Sequence, residues 1–129
     1  MLTSMVREVV STSGGDETFH VSAIDLKHLR RYTMGDRALE QEVLELFLAQ
    51  LPKTIAALSG AVNDHEWRIA AHTIKGSGRA VGAWQIARLA EQAERLAGVR
   101  NRAAHADAVC KLEDAMREAE IFISETYGI

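Results

Sequence analysis

The residues with chemistry to offer lie in one short stretch. Residues 70–82 read Ala-Ala-His-Thr-Ile-Lys-Gly-Ser-Gly-Arg-Ala-Val-Gly. On a helix, Arg68, His72, Lys75, Gly76 and Arg79 share one side, opposite an apolar side made of Trp67, Ala70, Ala71 and Ile74. That pattern turns the imidazole of His72 toward solvent. A neutral imidazole is a competent nucleophile near neutral pH, because its unperturbed pKa is about 6.5. Lys75, one turn on, can offset negative charge on a group captured by the ring, such as a phosphoryl group. Gly76 stands directly above His72 in the four-residue row and removes the side chain that would obstruct an approaching partner. A glycine inside a helix costs about 1 kcal/mol relative to alanine, and Gly78 comes as a second. Gly78 also marks where the helix can weaken, so a fraying end competes with access as the reason for both.

Other chemistries fit less well. A lone surface histidine is usually decoration; the lysine, the glycine and the apolar opposite face set His72 apart. His65 and His72 lie two turns apart but have no third metal ligand at regular spacing, so no metal site is expected. Lys75-Gly76-Ser77 has the wrong order for a phosphate-binding loop, and no strand precedes it. His20, His28 and His105 join no constellation, and Cys110, among small and apolar neighbours, reads as a packing residue.

The positioning elements are all helical. There is a single proline, Pro52, and β-branched alternation is nearly absent. A first helix is expected to start at Ser22 to Asp25, where the two have capping-box spacing, and to run through Leu26 and Leu29 to about Tyr32. Thr33–Asp36 then makes a turn that caps the second helix. That helix carries the clearest amphipathic pattern in the chain: Val43, Leu44, Phe47, Leu48, Leu51, Ile55, Leu58 and Val62 recur at three- and four-residue spacing, with Glu40, Glu42, Glu45, Gln50 and Lys53 mostly off the stripe. Pro52 predicts a kink in this helix rather than a break. Asn63-Asp64 caps a third helix, which Gly76, Gly78 and Gly82 weaken and end. A fourth helix from Ala83 buries Ile86, Leu89, Ala90, Ala93 and Leu96 before Gly98, and a last one from about Asn101 buries Val109, Leu112, Met116, Ala119 and Ile123. The expected fold is all-α: an antiparallel four-helix bundle with a short extra N-terminal helix over residues 21–129. Residues 1–20, with the polar run Ser11-Thr-Ser-Gly-Gly-Asp16, read as a flexible extension.

Bulk composition narrows the partners. The 129 residues are 47% hydrophobic and 26% charged, enough for one domain with a core of its own. A net charge of -3 argues against nucleic acid, which needs a basic surplus. A single cysteine excludes a disulfide framework, and no apolar run is long enough to span a bilayer. The expectation is a cytoplasmic monomer that binds neither nucleic acid nor membrane.

At His72-Thr-Ile-Lys-Gly-Ser77, followed by Gly82 and an alanine-rich helix, the sequence resembles histidine phosphotransfer (HPt) domains. Their pattern is His-x-x-Lys-Gly, a glycine about ten residues after the histidine, then a helix ending near Leu-Glu. The counterparts are His72, Lys75, Gly76, Gly82 and the Ala93-Glu94 to Leu96 region. Ile24-Asp-Leu26, the Gly35-Asp36 turn and the long helix from Val43 extend the likeness upstream, so that it spans residues 22–127. The resemblance implies a phosphorelay intermediate with no complete active site of its own. It implies phosphorylation on the outer ring nitrogen of His72, and a Gln or Glu from the next helix, here Glu94, holding the other nitrogen. Lys75 would neutralise the phosphoryl charge. Ser77, Gly78 and Arg79 would belong to the face where a partner gains access; Gly78 departs from the usual Ser or Ala. The implied partners are a histidine kinase and response-regulator receiver domains, and no cofactor is expected on this chain, magnesium being held by the receiver. Two alternatives stay open: a phosphoacceptor piece of a larger chemotaxis-type kinase, or a receiver-binding module that is never phosphorylated.

Overall fold

Five helices account for most of residues 22–129, the part of the chain that the computed structural model describes. The extension expected over residues 1–20 lies outside the described residues. Among the described residues there is no strand.

Each helix starts on a side chain that supplies a missing acceptor, with one exception. Helix α1 (Leu26–Thr33) is capped by Asp25, which accepts from the His28 N–H at 3.1 Å. The expected box with Ser22 does not form: Asp25 is itself the cap. Helix α2 (Arg37–Ser59) starts on Asp36, which accepts from the Leu39 N–H, and it runs through Pro52 without interruption. Its stripe buries Leu44, Phe47, Leu51, Ile55 and Leu58 as the spacing requires. Val62 is a correction: the helix has already ended at Ser59, and Val62 stands 82% exposed in the connection.

Helix α3 (Asp64–Val81) is capped by Asn63, which accepts from the Glu66 N–H at 2.8 Å, while the Glu66 carboxylate accepts from the Val62 N–H at 3.0 Å. Gly76 and Gly78 do not end it; the helix continues to Gly82, which takes the left-handed conformation at φ +82°. Gly82 is required for a second reason. Its carbonyl accepts from the Asp25 N–H at 2.8 Å, so the start of α1 is pressed against it, and a Cβ there would lie 2.8 Å from the Asp25 carbonyl oxygen. Helix α4 (Trp84–Glu94) starts after Ala83 without a side-chain cap. Helix α5 (Arg102–Tyr127) is capped by Asn101, which accepts from the Ala104 N–H.

Helix α2 packs against α3 and α5, and α4 packs against the same two, while α1 lies across α2 and α3. Leu44, Leu58, Ile74, Ile86, Leu112 and Ile123 are fully buried between them. Each such side chain contributes about 1.5–3 kcal/mol relative to exposure. Two sequence readings need correcting. Glu40, placed off the apolar stripe, is only 1% exposed, and it is paired with Arg30 Nε at 2.7 Å and with the Tyr127 hydroxyl. Cys110 is exposed on α5 rather than packed, because the buried stripe of that helix runs through Leu112, Ala115, Ala119 and Ile123.

Candidate functional site

His72 sits near the middle of α3, on the side that Ala71 and Ile74 do not use for the core. Its side chain is 69% exposed. Ring nitrogen Nδ1 lies 3.3 Å from Glu94 Oε2, at the last residue of α4. Among the described residues Nε2 has no hydrogen-bond partner, which leaves it as the outward-facing nitrogen. With a carboxylate facing Nδ1, the neutral ring is driven to carry its proton there and to keep the lone pair on Nε2.

Lys75 is built into this arrangement. Its ammonium donates to Glu94 Oε1 at 2.7 Å, and its side chain is only 15% exposed. One carboxylate therefore serves both α3 residues, one oxygen each. The Lys75 hydrogen bond is the main reason the Glu94 carboxyl is held below the ordinary carboxylate range; partial burial opposes it, and the His72 contact adds to it. Glu94 is thus favoured as the anion that both contacts require.

The end of α4 is placed by a contact that spacing alone could not supply. Trp67 Nε1 donates to the carbonyl of Ala93 at 2.7 Å, and the same indole stacks on the His105 ring, with centroids 4.3 Å apart. His105 Nε2 in turn lies 3.0 Å from the Leu96 carbonyl. This indole–imidazole pair fastens the residue before Glu94 to α3 and α5. Trp67 was legible as a core residue, but its partner lies 26 positions away.

Above the ring, Gly76 is exposed, and a Cβ built on it would meet nothing within 4 Å. The approach to His72 from that side is open. A match over residues 42–121 to the family described as Hpt domain covers this whole assembly, from inside α2 to inside α5. The chain belongs to the Hpt domain family. Membership carries histidine phosphotransfer in a phosphorelay, and interaction with receiver domains and histidine kinases. Hpt domains are phosphotransfer modules rather than classical enzymes. No match was found among curated proteins or solved structures.

The remaining motif positions of this Hpt domain divide between surface and interior. Ser77 and Arg79 are exposed, and Arg79 Nη2 reaches to 3.8 Å from Glu91 Oε1 on α4, a contact across the helix pair that the sequence did not suggest. Gly78 is a correction. It is buried, and a Cβ there would lie 3.1 Å from the Ala83 carbonyl and 3.1 Å from the Ala87 nitrogen. Its missing side chain lets the backbone of α4 close on α3, and it opens no path to His72. Among the described residues no helix is long and apolar enough to cross a membrane.

Proposed function

We propose that His72 is the phosphoacceptor of a phosphorelay, taking a phosphoryl group from the aspartyl phosphate of one receiver domain and passing it to the aspartate of another. The observation that carries this reading is the exposed imidazole with Nδ1 turned to Glu94 and Nε2 turned outward. In the forward step the Nε2 lone pair forms the N–P bond as the acyl phosphate P–O bond breaks, and the electrons of that bond leave with the receiver's carboxylate. The Nδ1 proton stays in its hydrogen bond to Glu94, whose anionic charge stabilises the positive ring that results. Reversal of the same step delivers the group onward.

Lys75 acts chiefly by holding Glu94, and its ammonium lies one turn from the ring where the phosphoryl charge arrives. Gly76 leaves room for the receiver's active-site loops, and Ser77 and Arg79 border that space. A magnesium ion held by the receiver would neutralise the phosphoryl oxygens, so this chain supplies a nucleophile and its support without a complete active site. The helix pairings support an antiparallel four-helix bundle as the scaffold, with α1 as the extra helix. The start of α2 meets the end of α5 through Arg37 and Thr126, and the start of α3 meets the end of α4 through Trp67 and Ala93.

The test is transfer from a phosphorylated receiver domain to the full chain and to its His72→Gln variant. The chain is expected to become labelled with acid-labile, base-stable phosphate, and the variant is expected to stay unlabelled with its helical content unchanged. Labelling that persists in the folded variant refutes the assignment, and a chain that binds the receiver but is never labelled is a binding module instead.

A further inference from the structure

Glu94 is the last residue of α4, and a helix end is a poor place from which to hold two partners. The final carbonyls of a helix have no partner within it, so its last turn frays unless something caps it. Helix α4 has no basic side chain in its last turn, and its cap residue, Arg95, keeps the right-handed conformation at φ -68° and ψ -15° where a left-handed glycine would close the end. Yet Glu94 must keep one oxygen 3.3 Å from His72 Nδ1 and the other 2.7 Å from the Lys75 ammonium.

Two side chains take the place of a cap. Trp67 Nε1 donates to the Ala93 carbonyl at 2.7 Å, and that oxygen belongs to the same planar peptide unit as the Glu94 nitrogen. Holding it fixes the plane from which the Glu94 side chain projects. His105 completes the clamp from α5. Its ring lies 19° from parallel with the buried indole, and its Nε2 is 3.0 Å from the Leu96 carbonyl. Ala93 and Leu96 stand on either side of Glu94, so the two bonds bracket it. Because a carbonyl only accepts, the neutral His105 ring carries its proton on Nε2, the opposite tautomer from His72. No spacing in the sequence joins the two histidines; the link runs through Trp67 and the end of α4.

We infer that His105 is a positioning residue for His72: stacked on Trp67 and bonded to Leu96, it steadies the turn that keeps the Glu94 carboxylate on Nδ1. It acts through Glu94 alone. Its consequence for transfer rests on the phosphotransfer reading, whereas its effect on the His72 ring does not.

The test is nitrogen-15 nuclear magnetic resonance of the imidazoles in the full, unphosphorylated chain, together with transfer from a phosphorylated receiver. In the unaltered chain the neutral rings are expected to carry their protons on Nδ1 of His72 and Nε2 of His105. His105→Ala is expected to move the His72 nitrogen signals toward the tautomer mixture of a free imidazole. It is also expected to slow transfer about three- to tenfold, the weight of one hydrogen bond, with receiver affinity unchanged. His105→Phe keeps a ring on the indole and loses only the Leu96 bond, so it is expected to move the same signals by a smaller amount. Ile123→Val, a buried change near the other end of α5, controls for general loosening and is expected to leave the His72 tautomer untouched. Unmoved His72 signals in His105→Ala, an equal movement in Ile123→Val, or an undiminished transfer rate overturns the inference. A chain whose His72 signals respond as expected but which takes no phosphate keeps the positioning role and fails the phosphotransfer reading instead.

Discussion

At the scale of single residues, the site depends on one carboxylate with two obligations. Glu94 faces the Nδ1 of His72 and the ammonium of Lys75 at once. Removing it by Glu94→Ala is expected to slow transfer from a phosphorylated receiver about ten- to a hundredfold, the loss seen when the orienting partner of a metal-bound imidazole is removed. Rapid-quench kinetics check this, and an unchanged rate would show that the ring needs no support. Lys75→Met tests the other obligation. Because the Lys75 hydrogen bond is the leading cause of the lowered Glu94 pKa, its loss is expected to move the Glu94 titration up toward the ordinary carboxylate range. Carbon-detected titration of the Glu94 side chain reads the shift; an unmoved titration would mean that Lys75 does not hold the carboxylate. That His72 and Lys75 stand together on α3 was legible in the sequence because they share one helix face at fixed spacing. That Lys75 spends its charge on Glu94 was not, since 19 residues and a turn separate the two.

At the scale of elements, two glycines of α3 that look alike in the sequence have opposite surroundings. A Cβ on Gly76 meets open space, so Gly76→Ala is expected to stabilise the fold by up to about 1 kcal/mol through helix propensity alone. A Cβ on Gly78 would lie 3.1 Å from backbone atoms of Ala83 and Ala87, so Gly78→Ala asks that backbone to give by a few tenths of an ångström, and this crowding is expected to outweigh the propensity gain and leave a net loss of about 1 kcal/mol. Urea midpoints of the two variants should therefore move in opposite directions, and a shared direction would contradict the packing described. Sequence patterns located the helices well because capping residues such as Asp36, Asn63 and Asn101 act locally. They failed at Val62, where the apolar spacing continues past the point at which the backbone has already turned. They also failed to separate the roles of Gly76 and Gly78, because what a missing side chain admits is decided by a neighbouring helix.

At the scale of the whole molecule, the first and last parts of the described chain are tied by a buried charge. Glu40 on α2 accepts from Arg30 on α1 and from the Tyr127 hydroxyl at the end of α5, while Arg37 lies over the Tyr127 ring. The Arg30 hydrogen bond leads in lowering the Glu40 pKa, against the opposing effect of burial. Burial, then the hydrogen bond to Glu40, raises the Tyr127 pKa. A carboxyl whose folded pKa is lowered stabilises the fold above its unfolded value, near pH 4.3, and that stability is lost as pH falls below it. Thermal stability is thus expected to drop on acidification below about pH 4.3, and more shallowly in Glu40→Gln. At neutral pH that variant is expected to lose about 1–3 kcal/mol, from unmet polar groups at a buried site rather than from the ion pair, whose arginine is half exposed. Equal acid slopes for the two proteins would contradict this. Amphipathic spacing assigned Glu40 to the solvent side, since no local pattern reveals a partner 87 positions away.

In the proposed transfer Glu94 keeps Nδ1 of His72 and Nε2 is the atom that reacts, and nitrogen–phosphorus correlation spectra of the phosphorylated chain read that choice atom by atom. The expected result is a phosphoramidate on Nε2 of His72, with Nδ1 still protonated. Phosphorus on Nδ1, or on any other residue, would contradict it.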